Sequence, residues 1–78
     1  METYIKGNYR KSIYQNESGY TIGIFKVKET NSDDLEIYVG RTITFTGYFH
    51  ELNDMDIYCF YGSLVNHVRY GEQFNVSR

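Results

Sequence analysis

The stretch LEIYVGRTITFTG, residues 35–47, carries the clearest structural pattern in the chain. Its odd positions hold most of its apolar side chains, at Leu35, Ile37, Val39, Ile43 and Phe45. Its even positions hold polar side chains or tyrosine, at Glu36, Tyr38, Thr42, Thr44 and Thr46. Alternation with a period of two is typical of a β-strand that buries one face. We therefore predict a strand over 35–47, with a bulge at Gly40 and with the tyrosine and threonines facing outward.

The segments on both sides of this stretch are rich in tyrosine, isoleucine, valine, threonine and phenylalanine, which suit a pleated, half-buried surface. Further strands are predicted at 4–14, 20–28, 57–65 and 73–76. Polar connections are predicted between them, at the turn 15–19, the hairpin connection 29–34 and the loop 50–56. The last of these is long enough for one helical turn. The chain is therefore predicted to be all-β.

Two of these strands contain a glycine that predicts an irregularity. Gly7 indicates a bulge or a bend in strand 4–14. One face of that strand is predicted to carry Ile5, Gly7, Tyr9, Lys11 and Ile13. Strand 20–28 has apolar residues on both faces, with Tyr20, Ile22 and Ile24 on one and Phe25 and Val27 on the other. It is therefore predicted to be covered on both sides or bent at Gly23.

Residues 63–71 also permit a short helix. Ser63 would cap its start, Gly71 would end it, and three apolar residues would face inward: Leu64, Val65 and Val68. A strand is favoured, because the flanking segments have strong β character and the helix would have fewer than two turns.

Five short strands in 78 residues, with glycines at the bends, indicate a small barrel that is closed or partly open. Closure removes the exposed strand edges that a small β-domain must otherwise protect. An OB-fold has this number of strands and this size. The predicted fold is therefore all-β and OB-fold-like, with an SH3-like barrel as the alternative.

The chain is short and slightly acidic, and its charges are unevenly distributed. A single domain of this length has a small core and no room for a deep catalytic cleft. The net charge of −2 excludes a generally basic nucleic-acid binder. Residues 1–28 nevertheless carry five cations against two acids, whereas residues 29–56 carry seven acids against one cation. If the first two strands share a face with the Arg69 loop, the domain has a basic and an acidic side.

The sequence contains none of the motifs that would indicate an enzyme by itself: no GxxxxGK[ST], GxSxG, HExxH or CxxC. The acidic residues of the middle stretch are better explained by solvated loops than by a metal site. Cys59 has no disulfide partner and is predicted to be a small core or boundary residue, in a reducing, cytoplasmic setting. Neither a membrane span nor a signal peptide is present in the sequence. We expect a non-catalytic domain without metal, cofactor or membrane contact.

Two segments resemble a known family. They are YQNESGYTI, residues 14–22, and FYGSLVNHVRYGEQFNV, residues 60–76. Together they are similar to the N-terminal domain of RecD-like DNA helicases, the stand-alone relatives of the exonuclease V alpha subunit. The pattern HxxYGxQF, at 67–74, is the more specific part of the likeness. Phe45-Thr46-Gly47 lies where that family has a strand ending in glycine.

The resemblance implies an OB-like domain of an ATP-dependent, 5′-to-3′ DNA helicase of superfamily 1. ATP and Mg²⁺ would then bind a motor encoded after residue 78. Because QFNVSR ends where a strand would finish, we expect residues 1–78 to be the N-terminal piece of a longer chain. The implied partners are the motor domains of the same chain and single-stranded DNA or a single-strand-binding protein.

OB barrels bind single strands on the face of strands 2 and 3 and at the loops 1–2 and 4–5. Such binding needs cations for the phosphates and aromatic rings for stacking. The candidate phosphate contacts are Arg10, Lys11, Lys26, Lys28 and Arg69. The candidate stacking platforms are Tyr20, Tyr38, Tyr48 and Tyr70. The alternative function is a docking module for the motor or a protein partner, without nucleic-acid binding.

For the segment RYGEQF, residues 69–74, a structural role is favoured over ligand contact. Gly71 would supply the positive φ of a hairpin turn, Tyr70 would cover the barrel end, and His67 would close the loop by a hydrogen bond.

Overall fold

The computed structural model describes residues 2–78, which form five strands and one 3₁₀ helix. The elements in chain order are β1 Thr3–Gln15, β2 Tyr20–Thr30, the 3₁₀ helix Asp33–Tyr38, β3 Thr42–Tyr48, β4 Ile57–His67 and β5 Gly71–Val76. The strands close into a barrel in the order β1-β2-β3-β5-β4. β3 and β5 run parallel, and all other neighbours are antiparallel. This architecture confirms the predicted all-β, OB-fold-like barrel rather than the SH3-like alternative.

The core of the barrel is a cluster of phenylalanines surrounded by aliphatic side chains. Its fully buried members come from every strand and from the 3₁₀ helix: Ile5, Phe25, Val27, Leu35, Ile43, Phe45, Phe60 and Phe74. The Phe60 ring lies 4.6 Å from that of Phe25 and 5.2 Å from that of Phe45, between ring centroids. Each buried phenylalanine stabilises the fold by about 1.5–3 kcal/mol. In so small a domain these rings are the main source of stability.

Bulges in β1 change which face its side chains occupy. Up to Tyr9 the odd-numbered residues face inward, as predicted. Arg10 and Ile13 then lie at the extra positions of two bulges and have no partner on β2. Each extra residue shifts the alternation, so Lys11 and Tyr14 pair with outward-facing residues of β2. The predicted shared face of residues 5–13 is therefore correct only as far as Tyr9.

The segment 35–41 is the largest departure from the predicted structure. Its first part belongs to the 3₁₀ helix, and β3 begins only at Thr42. Leu35 is fully buried, whereas Ile37 is 67% exposed. With three residues per turn, Leu35 and Tyr38 both reach the core, so a strand is not needed to bury them. The predicted bulge at Gly40 is wrong, because Gly40 has a φ of 83° in the turn that leads into β3.

Other boundaries differ less from the prediction. β4 and β5 are longer than predicted and are joined by a turn at 68–70, so the alternative helix at 63–71 does not form. The loop after β3 contains no helical turn in the described residues. On β2, Phe25 and Val27 are buried while Ile22 and Ile24 are half-buried, so the strand is partly covered on both sides.

Cys59 is exposed, and its prediction as a core or boundary residue is wrong. On β4 its neighbour Phe60 faces the core, so Cys59 faces outward, opposite Lys6 of β1.

We expect Gly7→Ala to destabilise the barrel severely. A Cβ atom at Gly7 would lie 1.9 Å from the backbone oxygen of Lys26, a contact that only movement of the backbone can relieve. The free energy of unfolding, measured in urea, should fall by more than about 3 kcal/mol.

The matched control is Gly71→Ala, where nothing lies within 4 Å of the added atom and only the φ of 81° is unfavourable. It should cost about 1–2 kcal/mol. An equal loss of stability in the two variants would contradict the close approach of β1 and β2.

Candidate nucleic-acid interface

The outer surface of β1, β2, β3 and β5 forms one continuous sheet face. Even-numbered residues of β2 and β3 face outward, because Phe25 and Phe45 lie on the inner side. The strand register arranges the outward residues in cross-strand rows. We call this surface the outer face, and it consists of Lys11, Tyr14, Tyr20, Ile22, Ile24, Lys26, Thr42, Thr44, Thr46, Tyr48, Gln73 and Asn75.

Two tyrosines, the half-buried Tyr20 and the exposed Tyr48, form a pair at one end of the outer face. Tyr20 and Tyr48 are opposite each other on β2 and β3, with ring centroids 5.3 Å apart in an edge-to-face arrangement. Tyr48 is 71% exposed. The Asn16 side chain accepts hydrogen bonds from the backbone N–H groups of Ser18 and Tyr20, both at 3.0 Å, and so fixes the turn that leads into β2. The pair is therefore held on rigid backbone and open to solvent.

The outer face carries positive charge and no carboxylate among its residues. Lys26 pairs with Thr42 of β3, and Lys11 pairs with Ile24 of β2, so both lysines lie towards the end of the face away from the tyrosine pair. Glu51 and Asp54 share a cleft with Lys11 at the border of the face. Two other carboxylates are bound by tyrosine hydroxyls: Tyr4 donates to Glu29 and Tyr38 to Glu72, each at 2.5 Å. The outer face is thus locally basic although the chain has a net charge of −2.

A groove of about 500 Å³ crosses the outer face between the β1–β2 hairpin and the β4–β5 hairpin. Its lining consists of Ile13, Tyr14, Ile22, Thr44, Tyr70 and Gln73. The bulge at Ile13 gives Tyr14 its outward position beside Ile22. The groove therefore depends both on the irregular end of β1 and on the turn that carries Tyr70.

His67 organises the β4–β5 turn. Its Nδ1 atom accepts hydrogen bonds from the backbone N–H groups of Arg69, at 3.1 Å, and Tyr70, at 3.3 Å. This confirms the predicted loop-closing hydrogen bond, and the φ of 81° at Gly71 confirms its predicted role in the turn. Tyr70 is 67% exposed and its ring lies 4.9 Å from that of His67. It lines the groove, so the prediction that it covers the barrel end is wrong.

Tyr38 is not part of the outer face. It ends the 3₁₀ helix, packs against the core and donates its hydroxyl hydrogen bond to Oε1 of Glu72 on β5. That hydrogen bond, with burial as a smaller cause, raises the pKa of Tyr38 above its usual value. Its hydroxyl and part of its ring are thus used within the fold.

The remaining cations among the predicted site residues lie at three separate places. Arg10 borders a cleft of about 480 Å³ that also contains Glu51 and Asp54, so it faces acidic residues, and Lys11 borders the same cleft. Lys28 lies at the extra position of a bulge and has no cross-strand partner. Arg69 lies in the β4–β5 turn, next to Tyr70 of the groove.

The structure thus brings together four of the nine predicted site residues on the outer face, Lys11, Tyr20, Lys26 and Tyr48, with Tyr70 at its groove.

Five of the six residues that line the groove were not predicted as site residues: Ile13, Tyr14, Ile22, Thr44 and Gln73. The period of two in β3 already predicted that Thr44 faces outward, whereas in β2 it grouped Ile22 with Tyr20 and Ile24 without showing which face is the outer one. The positions of Tyr14 and Gln73 depend on a bulge and on the parallel pairing of β3 with β5, and neither has a local sequence signal.

The closed five-stranded barrel, with an open sheet face between two hairpins, defines an OB-fold domain. The family model described as the OB-fold domain of the ATP-dependent DNA helicase YrrC matches residues 2–78. The chain therefore belongs to this family, which confirms the resemblance to RecD-like DNA helicases. No solved structure matches the chain.

In residues 2–78 no helix is both long enough and apolar enough to cross a membrane. The same residues contain no group of three or more His, Cys, Asp or Glu side chains placed to hold a metal ion.

We expect His67→Ala to loosen the β4–β5 turn, because two backbone N–H groups lose their acceptor. Hydrogen exchange at the amides of Arg69 and Tyr70 should accelerate, and the free energy of unfolding should fall by about 1 kcal/mol. Asn66→Ala is the matched control, since Asn66 is exposed and precedes the turn. Unchanged exchange at both amides in His67→Ala would show that the turn does not depend on His67.

Proposed function

We propose that this helicase-associated domain guides single-stranded DNA to or from the helicase motor, and that the outer face is its contact surface. The observation that carries the proposal is the composition of that face. It combines a tyrosine pair, of which Tyr48 is exposed, with two lysines and the threonines of β3, and it contains no carboxylate. Cations and aromatic rings on one face are the two elements of sequence-independent single-strand binding.

The geometry suits a short segment of DNA. From Tyr20 to Lys26 the extended strand spans about 20 Å. That length fits the small end of OB-fold sites, which take about 4–16 nucleotides. Bases would stack on Tyr20 and Tyr48, at about 1–3 kcal/mol each, while Lys11 and Lys26 contact the phosphates. Arg69, in the turn that carries Tyr70, would contact a further phosphate outside the groove.

The proposal includes a motor outside residues 1–78. The name of the matching family, an ATP-dependent DNA helicase, supports a motor in the same polypeptide that hydrolyses ATP with Mg²⁺. In this assignment the OB-fold domain performs no reaction of its own, and the protein acts in the cytoplasm. Its partners are the motor domains and the single strand.

A docking role is the second candidate, and the acidic side of the barrel favours it. The 3₁₀ helix carries Asp33, Asp34 and Glu36, and the loop after β3 carries Glu51 and Asp54. Such a surface fits a basic surface of the motor or of a single-strand-binding protein. In this role the domain would bind no nucleic acid, so DNA binding by the isolated chain separates the two candidates.

We expect the chain to bind oligo-dT in fluorescence anisotropy at low salt, with a log–log salt slope of about −0.7 for each phosphate neutralised. The double variant Lys11→Glu/Lys26→Glu should lower the affinity at least about tenfold and reduce the steepness of the slope by about 1.4, because two phosphate contacts are lost.

Lys6→Glu/Lys28→Glu is the control, with the same change of charge. Lys6 pairs with Cys59 on the β4 side of the barrel. Lys28 lies past Lys26, at a bulge where β2 no longer pairs with β3, so neither lysine belongs to the outer face. Equal losses in the two double variants would indicate attraction to net charge alone and would contradict a defined path. Absence of any binding at low salt would leave the docking role.

A further inference from the structure

The groove on the outer face has a polar group at its base that the fold does not use. Gln73 is only 9% exposed and lines the groove, where it pairs with Thr44 of β3. Its carboxamide makes no hydrogen bond to another group within residues 2–78. In that range, every polar side-chain atom that is sealed from solvent has a hydrogen-bond partner. The Gln73 carboxamide has none, so it must be open to solvent, on the side of the groove that it lines. Water can therefore reach this carboxamide in the free protein, and a ligand that fills the groove must replace the hydrogen bonds of that water.

The walls of the groove are aromatic and aliphatic. Tyr14 and Tyr70 come from opposite hairpins, and Ile13 and Ile22 complete the apolar lining. No charged residue lines the groove. The groove therefore has no cation to bind a phosphate. Its apolar walls and its amide fit a flat ring with a polar edge. Its volume, about 500 Å³, is within the range of small-molecule sites.

We propose that this groove holds one unstacked nucleobase of the bound strand, and that the Gln73 carboxamide hydrogen-bonds to the Watson–Crick edge of that base. This inference rests on the proposed binding of single-stranded DNA. Tyr14 and Tyr70 contact the base from the two sides of the groove, as aromatic residues do in single-strand recognition.

The chemistry of an amide makes the groove selective for unpaired bases rather than for one base. A carboxamide presents a donor and an acceptor side by side, and each can take the other's place when the group flips by half a turn. Every base has neighbouring donors and acceptors on its Watson–Crick edge. In a duplex those edges are already paired, so only a single strand can satisfy Gln73. The groove would thus distinguish single-stranded from double-stranded DNA, which suits a domain of a helicase.

An apolar side chain of a protein partner fits the groove less well. It would fill the apolar walls but seal the carboxamide of Gln73 from water without giving it a hydrogen bond, which weakens binding. The lining therefore favours a nucleobase over a leucine or phenylalanine anchor.

The test compares oligo-dT with an abasic oligonucleotide of the same length, for the wild-type chain and for Gln73→Leu. We expect the wild type to bind oligo-dT at least about tenfold more tightly than the abasic strand. Gln73→Leu should lower the affinity for oligo-dT about tenfold and leave binding of the abasic strand unchanged. In the wild type, the side-chain NH₂ resonances of Gln73 should shift when oligo-dT is added and stay in place with the abasic strand.

Asn66→Leu is the matched control, because it makes the same chemical change at an exposed position of β4 outside the groove. If Gln73→Leu does not fold, Gln73→Glu replaces it in the same measurement, since glutamate keeps the shape of the side chain but removes its hydrogen-bond donor.

Equal binding of oligo-dT and the abasic strand would overturn the base site and the stacking on Tyr20 and Tyr48, while binding of the strand through its phosphates would stand. Wild-type affinity for oligo-dT in Gln73→Leu and Gln73→Glu would overturn the role of Gln73. Absence of binding to both oligonucleotides would overturn the base site together with the proposed function.

Discussion

The path of β1 is the constraint on which the rest of the barrel depends. This strand pairs with β2 from Ile5 onwards and with β4 along its first half, and so closes the barrel. It passes so close to β2 at Gly7 that no side chain fits between the backbones. Beyond that point two bulges each insert an extra residue, so that later side chains of the strand change faces. The same strand therefore delivers Ile5 to the core and Tyr14 to the outer face.

The core and the outer face are two sides of the same strands. Because side chains alternate along a strand, the burial of Phe25 and Phe45 places their neighbours Ile24 and Thr44 on the outer side of the sheet. The phenylalanine cluster thus holds the outer face rigid, and the two hairpins at its borders add Tyr14 and Tyr70 around the groove. Acidic residues collect on the 3₁₀ helix and the loop after β3, which keeps the outer face free of carboxylates although the domain is acidic overall. A preformed binding surface of this kind needs no rearrangement of the backbone.

Local pattern was sufficient to predict what depends on local chemistry. The alternation in residues 42–47 predicted that Ile43 and Phe45 are buried, although Thr46, predicted to face outward, is only 6% exposed. In β2 it separated the two faces without showing which one is buried. The segment around Gly71 predicted its turn and the hydrogen bond of His67. The same alternation wrongly predicted a strand over residues 35–39, because Leu35 and Tyr38 reach the core equally well from a 3₁₀ helix. The bulges at Arg10 and Ile13, and the parallel pairing that places Gln73 beside Thr44, come from contacts between distant segments. A single sequence contains no local signal for such contacts, so the groove could not be predicted from it.

The measurement that tests the central claim most directly is an NMR titration of the isotopically labelled chain with oligo-dT at low salt, with every backbone amide as a probe. If the outer face is the DNA-binding surface, shift changes should concentrate on β2, β3, the second half of β1 and residues 68–73. The amides of the 3₁₀ helix and of residues 50–56 should stay in place. Shift changes confined to those acidic segments, or a spectrum that oligo-dT leaves unchanged, would contradict the claim.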